Sequence, residues 1–189
     1  MTAKTLAAIV VSVAFSSHLI LAGDPEKGVK VATKTAAPQI RGAVAIIEAR
    51  NGSQISGKAV FTERDGQVSL DLSLENAAPG PHAVHLHEKG DCSAADASSA
   101  GGHWNPTSEV HGKWGTSPFH HGDIGNIVIG EDGKGRLLLT TDLWSIGGAP
   151  THDVIGKAVI VHAKEDDFKT QPTGNAGGRV GCGVIQGEK

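Results

Sequence analysis

The sequence predicts an all-β fold, an antiparallel β-sandwich or flattened barrel of eight strands with two long functional loops. Three observations predict it. Short β-prone runs recur along the chain, separated by Gly, Asn, Asp and Pro. In one of them Val68, Leu70, Leu72 and Leu74 alternate with Ser69, Asp71 and Ser73, the period of a strand with one face in a core and one in water. The composition, with Gly 26 against Phe 4, Trp 3 and Tyr 0, is one of turns and small side chains and unlike that of a helix bundle. At 189 residues and 39% hydrophobic, the chain builds one core of ordinary size with an appendage, and a second large domain is excluded.

In chain order, residues 1–22 read as a secretory signal peptide. The start amine and Lys4 precede apolar runs at Leu6–Ala14 and Leu19–Ala22, broken by Ser16, Ser17 and His18. Cleavage after Ala22 places Ile20 three positions before the cut. A retained membrane anchor is the alternative, but the apolar stretch falls short of the ~20 residues a span needs. The reading therefore puts the protein in the periplasm or outside the cell, with no membrane attachment once the signal is removed. Residues 23–41 carry Lys, Thr, Pro and Ala without periodicity and read as a flexible tether, and residues 42–189 form the domain.

The eight candidate strands are Ala43–Ala49, Gly57–Glu63, Gln67–Leu74, Ala83–His87, Asn126–Gly130, Leu137–Leu143, Lys157–Ala163 and Arg179–Ile185. Asp132-Gly133 is a hairpin-type turn signal between the fifth and sixth. Two connections, Glu88–Gly125 and Lys164–Gly178, are long for a compact domain, and such loops are usually functional or disordered.

The formal charge is −3, and loss of residues 1–22 leaves 16 cations against 20 anions, a charge of −4. Nothing in that balance draws the chain to nucleic acid or an anionic membrane. In an oxidising compartment the two cysteines, Cys92 and Cys182, are expected to pair, with buried free thiols as the alternative. What asks for explanation is the ten histidines. His85 and His87 stand two apart in a candidate strand, which puts both imidazoles on one face. His103, His111, His120, His121 and Asp123 follow in the first long loop, and His162 ends a later strand. Several imidazoles with one carboxylate suit zinc and copper, whereas calcium or magnesium would want oxygen ligands.

The chain resembles the copper/zinc superoxide dismutases of the secreted bacterial type. His82–Asp91 resembles the family's first signature and Gly174–Gly183 its second. Between them Gly102–Pro106, His111-Gly112 and His120–Asn126 resemble its zinc-loop pattern. The resemblance implies a Greek-key strand order and one copper and one zinc ion per subunit. His85, His87, His103 and His162 would hold copper, and His103, His111, His120 and Asp123 zinc, with His103 as the bridging imidazolate. It further implies that Asp166 joins a copper-side to a zinc-side histidine, that Arg179 is the cation beside copper, and that Cys92 and Cys182 form the family disulfide. His103 and Arg179 would be the catalytic side chains, superoxide the substrate, and dioxygen and hydrogen peroxide the products. A homodimer is expected, with a monomer as the alternative.

His82 is read as structural, and His121, His152 and His18 receive no metal role. Lys164 and Lys169 are candidates for added attraction, with solvated loop lysines as the alternative reading. The second long loop is shorter than in the animal enzymes, so the acidic and lysine residues that shape the approach there have no secure counterparts here. Two rival functions, a copper carrier without turnover and a cupin or zinc hydrolase built on His85-x-His87, lack support: Arg179 and all seven ligand positions are present, and no cupin spacing follows Asp91.

Overall fold

The computed structural model describes residues 41–188, so the signal peptide and all but the last residue of the tether lie outside it. Arg41 is not tether but the first residue of a strand. All eight candidate strands form, as β1 (Arg41–Ala49), β2 (Ser56–Arg64), β3 (Gln67–Glu75), β4 (Gly80–His87), β5 (Gly125–Ile129), β6 (Gly135–Thr141), β7 (Ala158–His162) and β8 (Arg179–Val184). A two-residue β9 (Gln186–Gly187) pairs with β1 and is too short to leave a periodic signal.

The strands run antiparallel in the order β5-β4-β7-β8-β1-β2-β3-β6, a nearly closed barrel. β1 serves both halves: residues 41–47 pair with β2, and Glu48 and Ala49 pair with β8. The period-two pattern places the core. Val68, Leu70, Leu72 and Leu74 of β3 are buried, and across the ladder Leu70 faces Phe61 and Leu72 faces Ala59. Each such leucine contributes roughly 1.5–3 kcal/mol by leaving water.

The Asp132-Gly133 turn forms, with Gly133 at φ 74 and the Gly130 N–H donating to the Lys134 carbonyl at 2.9 Å. Its strands nevertheless do not pair with each other. β5 joins β4 and β6 joins β3, so the turn spans the two edges of the sheet, and among the described residues no ladder links them. The stretch after β6 adds to the core, where Trp144, Ile146 and Val154 are buried although no periodicity marks them.

β4 and β7 depart from simple alternation, because His82–His87 and all of β7 are buried. Val84, Leu86, Val159 and Val161 face the barrel core. The opposite face, carrying His85, His87, Ala158, Ile160 and His162, is covered by the two long loops. A short 3-10 turn, Ser98–Ala100, is part of that cover. Its Ala100, with Ala97, packs on Ala158, Ile160 and the disulfide.

Candidate metal centre

Strand register assembles the first group of ligands. In the β4–β7 ladder His85 lies opposite Ile160 and His87 opposite Ala158, so His162, two past Ile160, shares their face. Ring centroids are 4.8 Å apart for His85 and His162 and 5.7 Å for His87 and His162. The first long loop brings His103. Trp104 N–H donates to the Leu86 carbonyl at 2.8 Å, Glu88 N–H to the Gly102 carbonyl at 3.0 Å, and Leu86 N–H to the Gly122 carbonyl at 2.9 Å. This lacing sets His103 beside His87 and, 4.0 Å between centroids, against His85. Gly122 is required there, because a Cβ would collide with the Leu86 carbonyl oxygen.

The four imidazoles of His85, His87, His103 and His162 are buried, with candidate ligand atoms within 4.8 Å of one another. Each ring has one nitrogen anchored. His85 Nε2 donates to Asp166 Oδ2 at 2.8 Å, His87 Nδ1 to the Gly101 carbonyl at 2.9 Å and His162 Nδ1 to the Gly177 carbonyl at 3.4 Å, while His103 Nδ1 lies 2.8 Å from Asp123 Oδ1. The other nitrogen of each, His85 Nδ1, His87 Nε2, His103 Nε2 and His162 Nε2, is buried without a hydrogen-bond partner. Buried unpartnered nitrogens are costly, and four together call for an occupant that takes lone pairs. Burial supplies those lone pairs by disfavouring the charged ring. It pushes His103 down to about 4 and His162 to about 3, and lowers His85 and His87 as well.

The second group, His103, His111, His120 and Asp123, is equally buried and compact. Asp123 gathers it. Its Oδ1 lies 2.8 Å from His103 Nδ1 and 3.0 Å from His120 Nδ1, and its Oδ2 accepts from the backbone N–H of Gly112 and His120. His111 Nδ1 lies 3.0 Å from Asp123 Oδ2 without hydrogen-bond alignment, so that contact is electrostatic. Burial opposes charge on both partners, yet the surrounding contacts outweigh it: Asp123 is held far below the usual carboxylate range, and His111, between Asp123 and Asp166, is raised to about 9. His103 thus turns one nitrogen to each group. Asp166 spans them too, with Oδ2 to His85 and Oδ1 accepting from His111 Nε2 at 2.9 Å.

A match to the family model described as copper/zinc superoxide dismutase runs over residues 55–185. A protein of Caulobacter vibrioides named "Superoxide dismutase [Cu-Zn]" is 41% identical over 149 residues, 76% of this chain and 85% of its own. The chain belongs to the copper/zinc superoxide dismutase family. Like its relatives it is an oxidoreductase acting on superoxide, with copper and zinc as its metals. Among solved structures, that of the clock protein EA4 is similar at 39% identity with a TM-score of 0.69, covering 77% of this chain and 93% of that one.

Around the dismutase metal groups, Arg179 opens β8 opposite His162, next to a bulge at Val161/His162. It is half-buried and clamped by the 3-10 turn: Nη1 donates to the Ala97 carbonyl at 2.6 Å and Nη2 to the Gly101 carbonyl at 2.7 Å. Cys92 and Cys182 are joined, with Cα atoms 5.9 Å apart, tying the loop that carries this turn to β8.

His82 is structural, its ring nitrogens 2.7 and 2.9 Å from the carbonyl oxygens of His162 and Ala78. His121 joins neither metal group. It stacks on His152 and packs edge-on against Trp104, and its carbonyl accepts from the Trp144 indole N–H at 2.9 Å. Sequence reasoning missed the carbonyls of Ala97, Gly101 and Gly177, because any residue supplies a carbonyl and no side-chain identity signals its use.

Proposed function

We propose that the mature domain is an exported enzyme that converts superoxide to dioxygen and hydrogen peroxide, with copper held by His85, His87, His103 and His162. Zinc, which has no redox role, would be held by His103, His111, His120 and Asp123. The reading rests on one observation above others: four buried imidazoles each keep one nitrogen anchored and one unpartnered. When bound, copper supplies one-electron chemistry, oxidising one superoxide to dioxygen and reducing a second, with two protons, to hydrogen peroxide.

The chain's own residues do the rest. His103 bridges the two groups and, at Nε2, holds and returns one of the protons while Nδ1 stays on the Asp123 side. Asp166 fixes the rings of His85 and His111 through their outer nitrogens. Arg179 draws the anion toward the histidines of a protein whose overall charge is negative, its guanidinium oriented by two carbonyls. Residues 1–22 direct export, residues 23–40 tether the domain, and the assembly is a homodimer in the periplasm or outside the cell.

The test is metal content and superoxide turnover measured together on the disulfide-intact protein. Copper-and-zinc protein should turn over, zinc-only protein should be inert, and Arg179→Ala should lose at least about tenfold in kcat/KM at low salt. Full occupancy by both metals without turnover would overturn the reading. An N-terminus at Gly23 in exported protein checks the cleavage, and sedimentation checks the dimer.

A further inference from the structure

The two ends of the second long loop are absorbed by the metal reading, at Asp166 and Arg179, but its middle is not. Residues 166–174 close on themselves. The Asp167 carboxylate accepts from the backbone N–H of Lys169 and Thr170 at 2.9 and 2.8 Å and from the Thr170 hydroxyl at 2.6 Å. Gly174 N–H donates to the Thr170 carbonyl at 2.7 Å, and Asp167 N–H to the Gly174 carbonyl at 3.0 Å. This turn is fixed to the barrel by Asn126 of β5, whose side-chain amide accepts from Asp166 N–H at 2.7 Å and donates to the Asp166 carbonyl at 3.0 Å.

From the turn, Gln171 makes the same two-way grip on the first loop. Its Oε1 accepts from His111 N–H at 2.9 Å and its Nε2 donates to the His111 carbonyl at 2.8 Å. A side-chain amide paired with both backbone groups of one residue sets that residue's position and orientation together. His111 is therefore held by the second loop at its backbone through Gln171 and at its ring through Asp166, while Lys113 Nζ sits 5.9 Å from the Phe168 ring centroid.

We infer that Gln171 is a positioning residue for the zinc group, and that through it zinc occupancy and the order of residues 166–174 stabilise each other. The inference rests on His111 being a zinc ligand. Coupling of this kind is reciprocal: whatever zinc gains from an ordered second loop, the loop gains from zinc.

The test uses disulfide-intact protein with zinc, and with cobalt(II) in its place as a reporter of ligand geometry. Gln171→Met keeps the length and bulk of the side chain and loses both hydrogen bonds. It should weaken zinc binding about tenfold, as the loss of two hydrogen bonds implies. It should also shift the cobalt absorption bands, leave copper affinity unchanged, and abolish the protection that zinc gives against tryptic cleavage at Lys169. Gln171→Ala should behave alike. A space-filling role predicts that Met is harmless and Ala damaging, and wild-type zinc affinity in Gln171→Met overturns the inference whatever Ala does. An equal loss of copper and zinc affinity also overturns it. If His111→Ala itself leaves zinc and cobalt binding unchanged, the ligand assignment falls and takes the inference with it, whereas loss in His111→Ala beside normal Gln171 variants sinks the inference alone.

Discussion

His103 and Asp123 show how single side chains divide the work of the centre. Because His87 belongs only to the group proposed to hold copper, His87→Ala is expected to lose copper and turnover while the fold and zinc affinity persist. Asp123 touches His103, His111 and His120, so Asp123→Ala should loosen zinc and the first long loop before copper. Equilibrium dialysis against each metal separates the two, and equal loss of both metals in either variant contradicts the division. The perturbed histidines of metal-stripped protein have opposite signs. Raised to about 9, His111 stabilises the fold fully below 6.5, and that stability is lost as pH rises through 9. Depressed to about 4 and about 3, His103 and His162 stabilise above 6.5 and lose their contribution as pH falls. The Tm of stripped protein should therefore decline on both sides of a maximum near 6.5, and the alkaline decline should vanish when zinc is bound; a Tm rising steadily from 6.5 to 9 would contradict the His111 assignment. The side chains that the structure gathers into the two groups could be picked out in the sequence, because imidazoles and a carboxylate announce their chemistry by residue type and the family resemblance singled them out. The groups that aim them were not: Gly101, Ala97 and Gly177 act through carbonyl oxygens that every residue has.

At the level of elements, legibility follows from where periodicity survives. β3, with one face in the core and one in water, alternates cleanly and was read to within a residue. β4 and β7 are buried on both faces, so only their register, not their pattern, brings His162 to His85 and His87. The Asp132-Gly133 turn was legible and its pairing was not, because local turn chemistry cannot say that β5 and β6 belong to opposite edges. Trp144, Ile146 and Val154 join the core from a stretch whose apolar residues stand among glycines without period. The disulfide acts at this scale too. It closes a loop across a separation of 90 residues. Losing it should destabilise the fold by up to about 4–5 kcal/mol in the chain-entropy model. Because it anchors the loop that clamps Arg179, the Cys92→Ser/Cys182→Ser pair should also lower kcat/KM more than it lowers copper content. Thermal unfolding and turnover on metal-loaded protein check both, and a fall in Tm with unchanged turnover per copper would separate the disulfide from the clamp.

For the whole molecule, a formal charge of −3, or −4 if residues 1–22 are removed as proposed, and an anionic substrate set a conflict that only a local field resolves. Turnover should fall as ionic strength rises, since the Debye length shrinks from about 30 Å at 0.01 M to about 10 Å at 0.1 M. Arg179→Ala should flatten that dependence as well as lower the rate, and an unchanged salt slope would assign the attraction to other charges such as Lys164 and Lys169. The barrel's part in this is to be stiff, so that loops can be placed against it. The Gly101 carbonyl oxygen receives both the Arg179 guanidinium, proposed to draw in the substrate, and the ring of His87. Guidance and redox tuning are thereby pleiotropic. A change in the Ser98–Ala100 turn that re-aims one re-aims the other, so neither property can be selected or engineered alone by altering that turn.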